Sequence, residues 1–161
     1  MTVRNTVPND IPKVLKIYAR AREFMRENGN PTQWGDSRPS ESVVRRDVER
    51  GVSYVVEDEG NVCGVFAFII GDDPTYSYIN GEWLNDEPYG TVHRIASGGE
   101  GRGVLKACLE FCEAKCRNIR IDTHENNAVM RHLLEKHGFR YCGIILTDDG
   151  TPRMAYQKII R

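Results

Sequence analysis

The sequence predicts a single α/β domain over residues 1–161, built on a mixed sheet with helices on both faces. Three observations support this fold class. Short strands rich in β-branched residues alternate with helical stripes of apolar residues along the chain. Between residues 91 and 123, a strand, a glycine-rich turn, a helix and a second strand follow one another, which predicts a central parallel strand pair. Hairpin patterns before and after this crossover predict antiparallel strands.

The first half of the chain is predicted to hold one strand, two helices and a hairpin. Asp10 is a suitable N-cap for the first helix, and Pro12 lies in its first turn, where a missing N–H costs nothing. Ser40 begins the second helix. The second strand of this hairpin, residues 62–70, is apolar on both faces and is therefore expected at the centre of the sheet. In order, these elements cover residues 2–7, 11–28, 40–50, 52–57 and 62–70.

The second half of the chain is predicted to contain the crossover and a final hairpin. Residues 76–80 are compatible with a short strand, and a polar loop follows at residues 81–88. Asn126 or Asn127 begins the last helix and Gly138 ends it. The other elements are strands at residues 91–97, 118–123, 139–146 and 153–160 and a helix from residue 104. Without the short strand, the order is β-α-α-β-β-β-α-β-α-β-β.

Composition and charge argue against several classes of protein. The chain has 22 Lys and Arg against 23 Asp and Glu, which is not the basic footprint of a nucleic-acid-binding protein. The longest apolar run, residues 65–70, is far shorter than the roughly 20 residues that a membrane helix needs. The N-terminus shows no apolar signal region, so we expect a cytoplasmic protein. The sequence leaves the oligomeric state open, and a homodimer is compatible with it.

The five cysteines are an odd number and fit a reducing compartment. Cys108, Cys112 and Cys116 lie four residues apart and form a stripe on one helix. Three thiols stacked on one helix do not converge tetrahedrally, and no histidine lies at ligand spacing. We therefore expect no metal site and interpret these cysteines as small buried side chains.

The turn between the crossover strand and its helix predicts an anion-binding site. Gly99, Gly101 and Gly103 alternate there, although each weakens a helix start by roughly 1 kcal/mol relative to Ala. The first N–H groups of a helix have no internal partner, and the helix dipole favours an anion beside them. With Asp122 about twenty residues on, the pattern imitates a dinucleotide-binding fingerprint for NAD. However, Val104 occupies the third glycine position of that fingerprint.

A second interpretation accounts for the whole order of elements. Three stretches carry it: residues 92–97 with the glycine turn, residues 119–127, and a run from residue 127 to residue 139. The last run contains Asn127, Met130, Leu133, Glu135, Lys136, Gly138 and Phe139. On these motifs the chain resembles the GNAT superfamily of acyl-CoA-dependent N-acetyltransferases, over about residues 3–160. The loop at residues 30–35 also resembles a feature of one branch of that superfamily.

The resemblance implies acetyl transfer from acetyl-CoA to a primary amine of a small molecule or a peptide, by direct attack on the thioester. Ile95, Ala96 and Ser97 would bind the pantetheine arm through their backbone, much as an added strand would. Asn127 would contact the arm from the next helix. The remaining implied cofactor-binding residues are Gly101, Arg102, Gly103, Val104, Leu105 and Lys106. Glu100 and Leu105 depart from the turn pattern of the family.

The acceptor amine must lose a proton before it attacks, so a base is required. Asp122 ends its strand and resembles the position where some family members place a glutamate base. His93 is a second candidate, because it titrates near neutrality and shares a strand face with Ile95. His124 is a third. The alternative for Asp122 is a structural carboxylate, and the alternative for His93 is a histidine packed in the core.

The departing thiolate needs a proton, and many family members supply it from a tyrosine where this chain has Leu134. Tyr141 or water could serve instead, although the sequence favours core packing for Tyr141. A catalytically silent acyl-CoA-binding module therefore stays an alternative, as does an NAD-binding oxidoreductase. Trp34 and Trp83 lie in loops and are candidates for the acceptor pocket, with core packing as the alternative for Trp34.

Overall fold

The computed structural model describes residues 1–98 and 103–161, so the predictions for Gly99, Glu100, Gly101 and Arg102 lie outside the described residues. Single-turn 3-10 helices cover Pro8–Asp10 and Pro74–Tyr76. The helices are α1 (Ile11–Glu27), α2 (Glu41–Glu49), α3 (Val104–Lys115) and α4 (Ala128–Lys136). The strands are β1 (Thr2–Asn5), β2 (Ser53–Asp58), β3 (Asn61–Ile70), β4 (Asn80–Gly81), β5 (Gly90–Ser97), β6 (Asn118–Thr123), β7 (Arg140–Leu146) and β8 (Pro152–Ile159).

The strands form a mixed sheet in the order β1-β2-β3-β5-β6-β8-β7-β4. β5 and β6 are the predicted parallel pair, with Gly90 opposite Ile119. β2 pairs antiparallel with β1 and β3, and β8 pairs antiparallel with β6 and β7. The predicted fold class, a mixed sheet with a central parallel pair and helices on both faces, is confirmed.

The chain divides into two compact units, and the first comprises Met1–Phe68 and His93–Phe111. It contains β1, β2, β3 as far as Phe68, α1, α2, the end of β5 and the first two turns of α3. Apolar faces of its helices pack on β2, β3 and β5. The buried core consists of Ile11, Val14, Ile17, Tyr18, Val44, Val55, Val65 and Ala96.

The second unit comprises Ile69–Val92 and Cys112–Arg161. It contains β4, β6, β7, β8, α4 and the start of β5. One of its core clusters is formed by Tyr76, Tyr89, Ile145 and Ala155, with Ile79 and Trp83 packed against it. This cluster is rich in tyrosine, and it brings aromatic rings beside β6.

Two cap predictions are confirmed and one is wrong. Val43 N donates to Ser40 Oγ at 3.3 Å, and Met130 N donates to Asn127 Oδ1 at 3.1 Å, so Asn127 is the asparagine that begins α4. Asp10 makes no side-chain cap to α1. The reason is that a 3-10 turn, Pro8–Asp10, comes directly before α1. The Asp10 carboxylate accepts from Val7 N at the start of this turn, at 2.8 Å, instead of capping α1.

The strand suggested at residues 76–80 is wrong for most of its length. Pro74–Tyr76 is a 3-10 turn, and only the two-residue strand β4 (Asn80–Gly81) follows it. The physical reason is local. Asp73 accepts from Thr75 N at 2.9 Å, and Pro74 at the first position favours a helical turn over an extended chain.

Cys108 and Cys112, two of the three cysteines predicted to form a stripe on one helix, are buried on α3. Cys116 lies one residue beyond the end of α3, and its thiol donates to Asn118 O at 3.2 Å. Within residues 1–98 and 103–161, no group of three His, Cys, Asp or Glu side chains could hold a metal ion. In the same part of the chain, no helix has the length and apolar character required to cross a membrane.

Candidate active site

A single residue with unusual backbone geometry interrupts β5. Arg94 has φ +52°, a conformation that is sparsely populated for any residue except glycine. Such a residue costs about 1–3 kcal/mol and persists only where its surroundings hold it. Arg94 comes directly before Ile95, Ala96 and Ser97. The interruption therefore sets the direction of the segment that is predicted to bind pantetheine.

Two helices of the first unit hold Arg94 in this conformation. From α1, the Tyr18 hydroxyl donates to Arg94 O at 2.8 Å. From α2, the Asp47 carboxylate accepts from Arg94 Nε at 2.8 Å and from Nη2 at 2.9 Å. The side chain of Asp47 is only 5% exposed and that of Arg94 is 24% exposed. Bidentate pairs of this kind are geometrically specific as well as strong, so they suit a positioning role.

The roles of Tyr18, Asp47 and Arg94 were not predicted, although the sequence contains one indication of this arrangement. Asp47 lies three residues after Val44, on the apolar face of α2. A carboxylate at a core-facing helix position requires a partner, because an unpaired buried charge is strongly unfavourable. Burial raises the pKa of Tyr18 well above its usual value, so its hydroxyl stays protonated as a donor.

The predicted pantetheine segment ends β5 beside β3. Ala96 is buried, Ile95 and Ser97 are part-buried, and Gly98 N donates to Cys63 O at 2.9 Å. The positive φ of Arg94 breaks the simple alternation of strand side chains. The shared face predicted for His93 and Ile95 therefore cannot be derived from alternation, since Arg94 lies between them.

α3 begins at Val104, directly after Gly103. Gly103 has φ +90° and its carbonyl accepts from Ala107 N at 2.9 Å. Val104, Leu105 and Lys106 are therefore the first helical residues, and their N–H groups precede the first intrahelical bond. The helix dipole adds partial positive charge there. The side chains of Val104 and Leu105 are buried and Lys106 is exposed, so only Lys106 could also reach an anion by its side chain.

A glycine on β3 lets this helix start approach the strand. A Cβ added to Gly64 would lie 2.6 Å from Val104 Cγ1 and 2.9 Å from Val104 Cγ2. It would also lie 3.3 Å from Ala96 O. Gly64 therefore brings two predicted cofactor residues, Ala96 and Val104, close together within the first unit.

In the second unit, the carboxylate of Asp122 accepts a hydrogen bond from Tyr76. Tyr76 is 2% exposed, and its hydroxyl donates to Asp122 Oδ2 at 2.7 Å. Burial, followed by the negative charge of Asp122, raises the pKa of Tyr76 well above its usual value, so the phenol stays protonated. A hydrogen bond donated to a carboxylate favours the ionised form, which is the form that can accept a proton.

The ring of Trp83 packs against Tyr76 with their centroids 5.0 Å apart. Trp83 Nε1 donates to Tyr76 O at 3.1 Å. The guanidinium of Arg120 lies 4.0 Å from the Trp83 ring centroid and 3.9 Å from that of Tyr89. Burial lowers the pKa of Arg120. Trp83, a predicted acceptor-pocket residue, thus holds Tyr76 in place and covers a buried cation.

The polar loop at residues 81–88 is fixed to β6 and β8 by hydrogen bonds that include those of Leu84 and Asn85. Asn85 Oδ1 accepts from Asn118 Nδ2 at 2.9 Å and from Gln157 Nε2 at 3.0 Å. Asn85 O accepts from Arg120 Nη2 at 2.9 Å, and Gln157 Oε1 accepts from Leu84 N at 2.8 Å. The loop that carries Trp83 is therefore anchored before any ligand binds.

The other proton-transfer candidates lie in different settings. His93 is part-buried on β5. His124 Nδ1 accepts from Asn126 N at 3.0 Å, and burial, together with the positive charge of Arg153, lowers the pKa of His124. Tyr141 is 49% exposed and packs edge-on against Tyr156 at 5.7 Å. The core-packing alternative for Tyr141 is therefore wrong, because β7 turns this side chain outward.

Three further residues named from the sequence, Asn127, Leu134 and Trp34, have structural roles in the fold. Asn127 caps α4 through its Oδ1 atom. Leu134 is fully buried in α4. Trp34 packs against the core of the first unit, with its ring edge-on to Tyr18 at 5.6 Å. This packing favours the core-packing alternative for Trp34 over the acceptor-pocket interpretation.

Comparison with known proteins agrees with this architecture. The model of the Acetyltransferase (GNAT) family matches residues 14–139. A GNAT-family acetyltransferase from Streptococcus agalactiae 2603 is 34% identical, with a TM-score of 0.89 over 99% of this chain and 95% of that one. No curated protein is significantly similar in sequence.

Two more distant structures share the fold. A GNAT-family acetyltransferase from Listeria monocytogenes 4b F2365 is 22% identical, with a TM-score of 0.71 over 98% of this chain and 94% of that one. The ribosomal-protein-S18-alanine N-acetyltransferase of Escherichia coli is 18% identical, with a TM-score of 0.64 over 99% and 93% of the two chains.

Proposed function

Because the chain belongs to the GNAT family of acetyltransferases, we propose that it transfers an acetyl group from acetyl-CoA to a primary amine on a small molecule or a peptide. We also propose that residues 1–161 act as one catalytic domain. The observation that carries the proposal is the interruption of β5 at Arg94, held by Tyr18 and Asp47 directly before residues 95–97. A strained backbone fixed by two helices indicates a segment shaped for a ligand.

Acetyl-CoA, when bound, supplies an activated acetyl thioester. The backbone groups of Ile95, Ala96 and Ser97 would hydrogen-bond the pantetheine arm, as predicted from the family. The N–H groups of Val104, Leu105 and Lys106 would bind the pyrophosphate at the start of α3. The same role is proposed for Gly101, Arg102 and Gly103 in the turn, and an arm contact for Asn127.

We assign proton removal from the acceptor ammonium group to Asp122. The N–H bond of the ammonium breaks, the proton passes to a carboxylate oxygen, and the nitrogen lone pair becomes free to attack. The hydrogen bond from Tyr76 supports this assignment, because it favours an ionised carboxylate. His93 is the alternative base, and Tyr141 or water the proton donor to the departing thiolate.

The experiment that tests the proposal is calorimetric titration with acetyl-CoA, with NAD as the comparison ligand. We expect micromolar affinity for acetyl-CoA and none for NAD. Gly103→Glu should weaken acetyl-CoA at least about tenfold, because a side chain is strained at φ +90° and a carboxylate would repel the pyrophosphate. Gly150→Glu is the matched control, since Gly150 has φ +81° with no neighbouring atom within 4 Å.

Each result has a distinct meaning. Absence of acetyl-CoA binding would require the transferase proposal to be withdrawn. Binding of NAD alone would support an oxidoreductase. Binding of acetyl-CoA without transfer to any amine in a broad screen would support a catalytically silent acyl-CoA-binding protein, which the buried Leu134 at the usual position of the tyrosine acid favours as the second candidate.

A further inference from the structure

Tyr76 is held in place by both its ring and its backbone. Its ring centroid lies 5.0 Å from that of Trp83 and 6.1 Å from that of Tyr89. Its carbonyl accepts from Trp83 Nε1, and its N–H donates to Asp73 O at 2.9 Å. The position of the hydroxyl is therefore determined by the fold and needs no ligand to set it.

The hydroxyl of Tyr76 has a charged partner rather than a neutral one. A buried phenol needs a hydrogen-bond partner, and a backbone carbonyl would satisfy it equally well. Here the partner is the carboxylate of Asp122, which is 46 positions away in the chain. Hydrogen bonds to ionised groups are roughly twice as strong as neutral ones, so this contact affects the protonation of the carboxyl group as well as its position.

We propose that Tyr76 is the positioning residue of Asp122. Its hydroxyl keeps the carboxylate ionised and fixes the direction in which that carboxylate accepts a proton from the acceptor amine. The inference rests on the proposed function, in which Asp122 is the base. It adds a residue that the sequence pattern did not identify, in a segment that was expected to be extended.

Other charged and titratable groups surround this pair. Strand alternation puts Arg120 on the same face of β6 as Asp122, and His124 follows directly after the end of this strand. On β8, the residue opposite Asp122 is Ala155, which carries no charge. The charged and titratable groups that act on Tyr76, Arg120 or His124 include Asp73, Tyr89, Glu125, Cys142 and Arg153. Tyr76→Phe removes the hydroxyl that donates to Asp122 and keeps the aromatic ring.

The first test is a carbon-detected NMR titration of protein labelled at aspartate carboxyl carbons, with Asp122→Asn to assign the resonance. In Tyr76→Phe, we expect the Asp122 titration midpoint to rise by about one pH unit, because the ionised form loses a donor. Tyr89→Phe is the matched control. It removes another buried phenol hydroxyl, one that accepts from Asp73 N at 2.8 Å. It should leave the midpoint in place.

The second test is the pH dependence of kcat/KM for the amine that the screen identifies. Tyr76→Phe should move the acidic limb to higher pH by the same amount and leave the KM for acetyl-CoA unchanged. Tyr89→Phe should not move the limb, even where it lowers thermal stability. A shift of the limb in Tyr76→Phe alone separates a role in proton transfer from a general loosening of the aromatic cluster.

Three results would overturn the inference. They are an Asp122 midpoint that Tyr76→Phe does not move, an equal shift in Tyr89→Phe, and a shifted midpoint with an unshifted kinetic limb. Inactivity of the unmodified protein toward every amine would instead reject the proposed function. In that case the NMR titration still decides, without any activity, whether Tyr76 keeps the carboxylate ionised.

Discussion

The backbone conformation of Arg94 depends on hydrogen bonds with residues far away in the chain. Its φ of +52° is unfavourable, and its carbonyl and guanidinium are each bound by a different helix. Asp47 provides both acceptors for the guanidinium and is nearly inaccessible to water. The backbone of the proposed pantetheine segment is thus maintained by a carboxylate 47 positions earlier in the chain.

Asp47→Asn should therefore reduce both stability and donor binding. The substitution removes the negative charge that pairs with the part-buried guanidinium of Arg94. We therefore expect the free energy of unfolding to fall by about 1–3 kcal/mol. Acetyl-CoA affinity should fall as well, because Arg94 is then released from its strained φ. Urea unfolding and calorimetry measure the two effects.

The control lies on the same helix. Glu41 accepts from Arg45 at 2.9 Å, but both side chains are more than half exposed. Glu41→Gln should change the free energy of unfolding by no more than about 0.5 kcal/mol. If the two variants were equally stable, the Asp47 carboxylate would have no role in holding Arg94.

His124 gives stability a dependence on pH. Its pKa in the folded protein is lowered by burial and by Arg153, whereas the unfolded chain titrates at about 6.5. Between these values the unfolded chain binds more protons, so stability rises with pH and is lost as pH falls below about 6.5. His124→Gln should flatten the free energy of unfolding between about pH 5 and 7. His132→Gln, at an exposed position on α4, is the control, and an equal flattening there would contradict the assignment.

At the scale of elements, the contact between β3 and the start of α3 is the closest fit around the proposed donor site. Gly64 lies directly beneath Val104, whose branched side chain has little rotational freedom. Gly64→Ala should therefore push the start of α3 away from β3. We expect a loss of about 1–3 kcal/mol in unfolding free energy and weaker binding of acetyl-CoA.

The double variant gives a specific check of this contact. Val104→Ala removes the two methyl groups that an alanine at residue 64 would meet. Combining Gly64→Ala with Val104→Ala should restore part of the stability, giving a favourable coupling in a double-mutant cycle. Additive losses would show that the strain at residue 64 has another source.

Elements whose signals are local in the sequence were predicted well. Ser40 and Asn127 cap helices as expected, because a side-chain cap depends on residues two or three positions away. Asp10 is the exception, since a 3-10 turn uses its carboxylate first. Residues 74–76 were missed because an Asp-Pro turn and a short strand use similar residues.

At the scale of the whole molecule, periodicity recovered the order of elements and the parallel β5–β6 pair. Periodicity placed the predicted functional residues on their strands and helices, but it did not reveal which residues they contact. Tyr76, Asp47 and Tyr18 were missed because their partners are 46 to 76 positions away, and no local pattern records such contacts. A buried acidic residue on an apolar helix face was the one available indication.

The strand order of the second unit has a consequence for how the chain is made. β8 pairs with both β6 and β7, although it follows both in the sequence. During vectorial synthesis, β6 and β7 emerge from the ribosome before the strand that separates them. Each then presents an unpaired edge, and edges of this kind attract other strands. A nascent chain stalled before residue 152 would therefore lack the strand that joins β6 to β7.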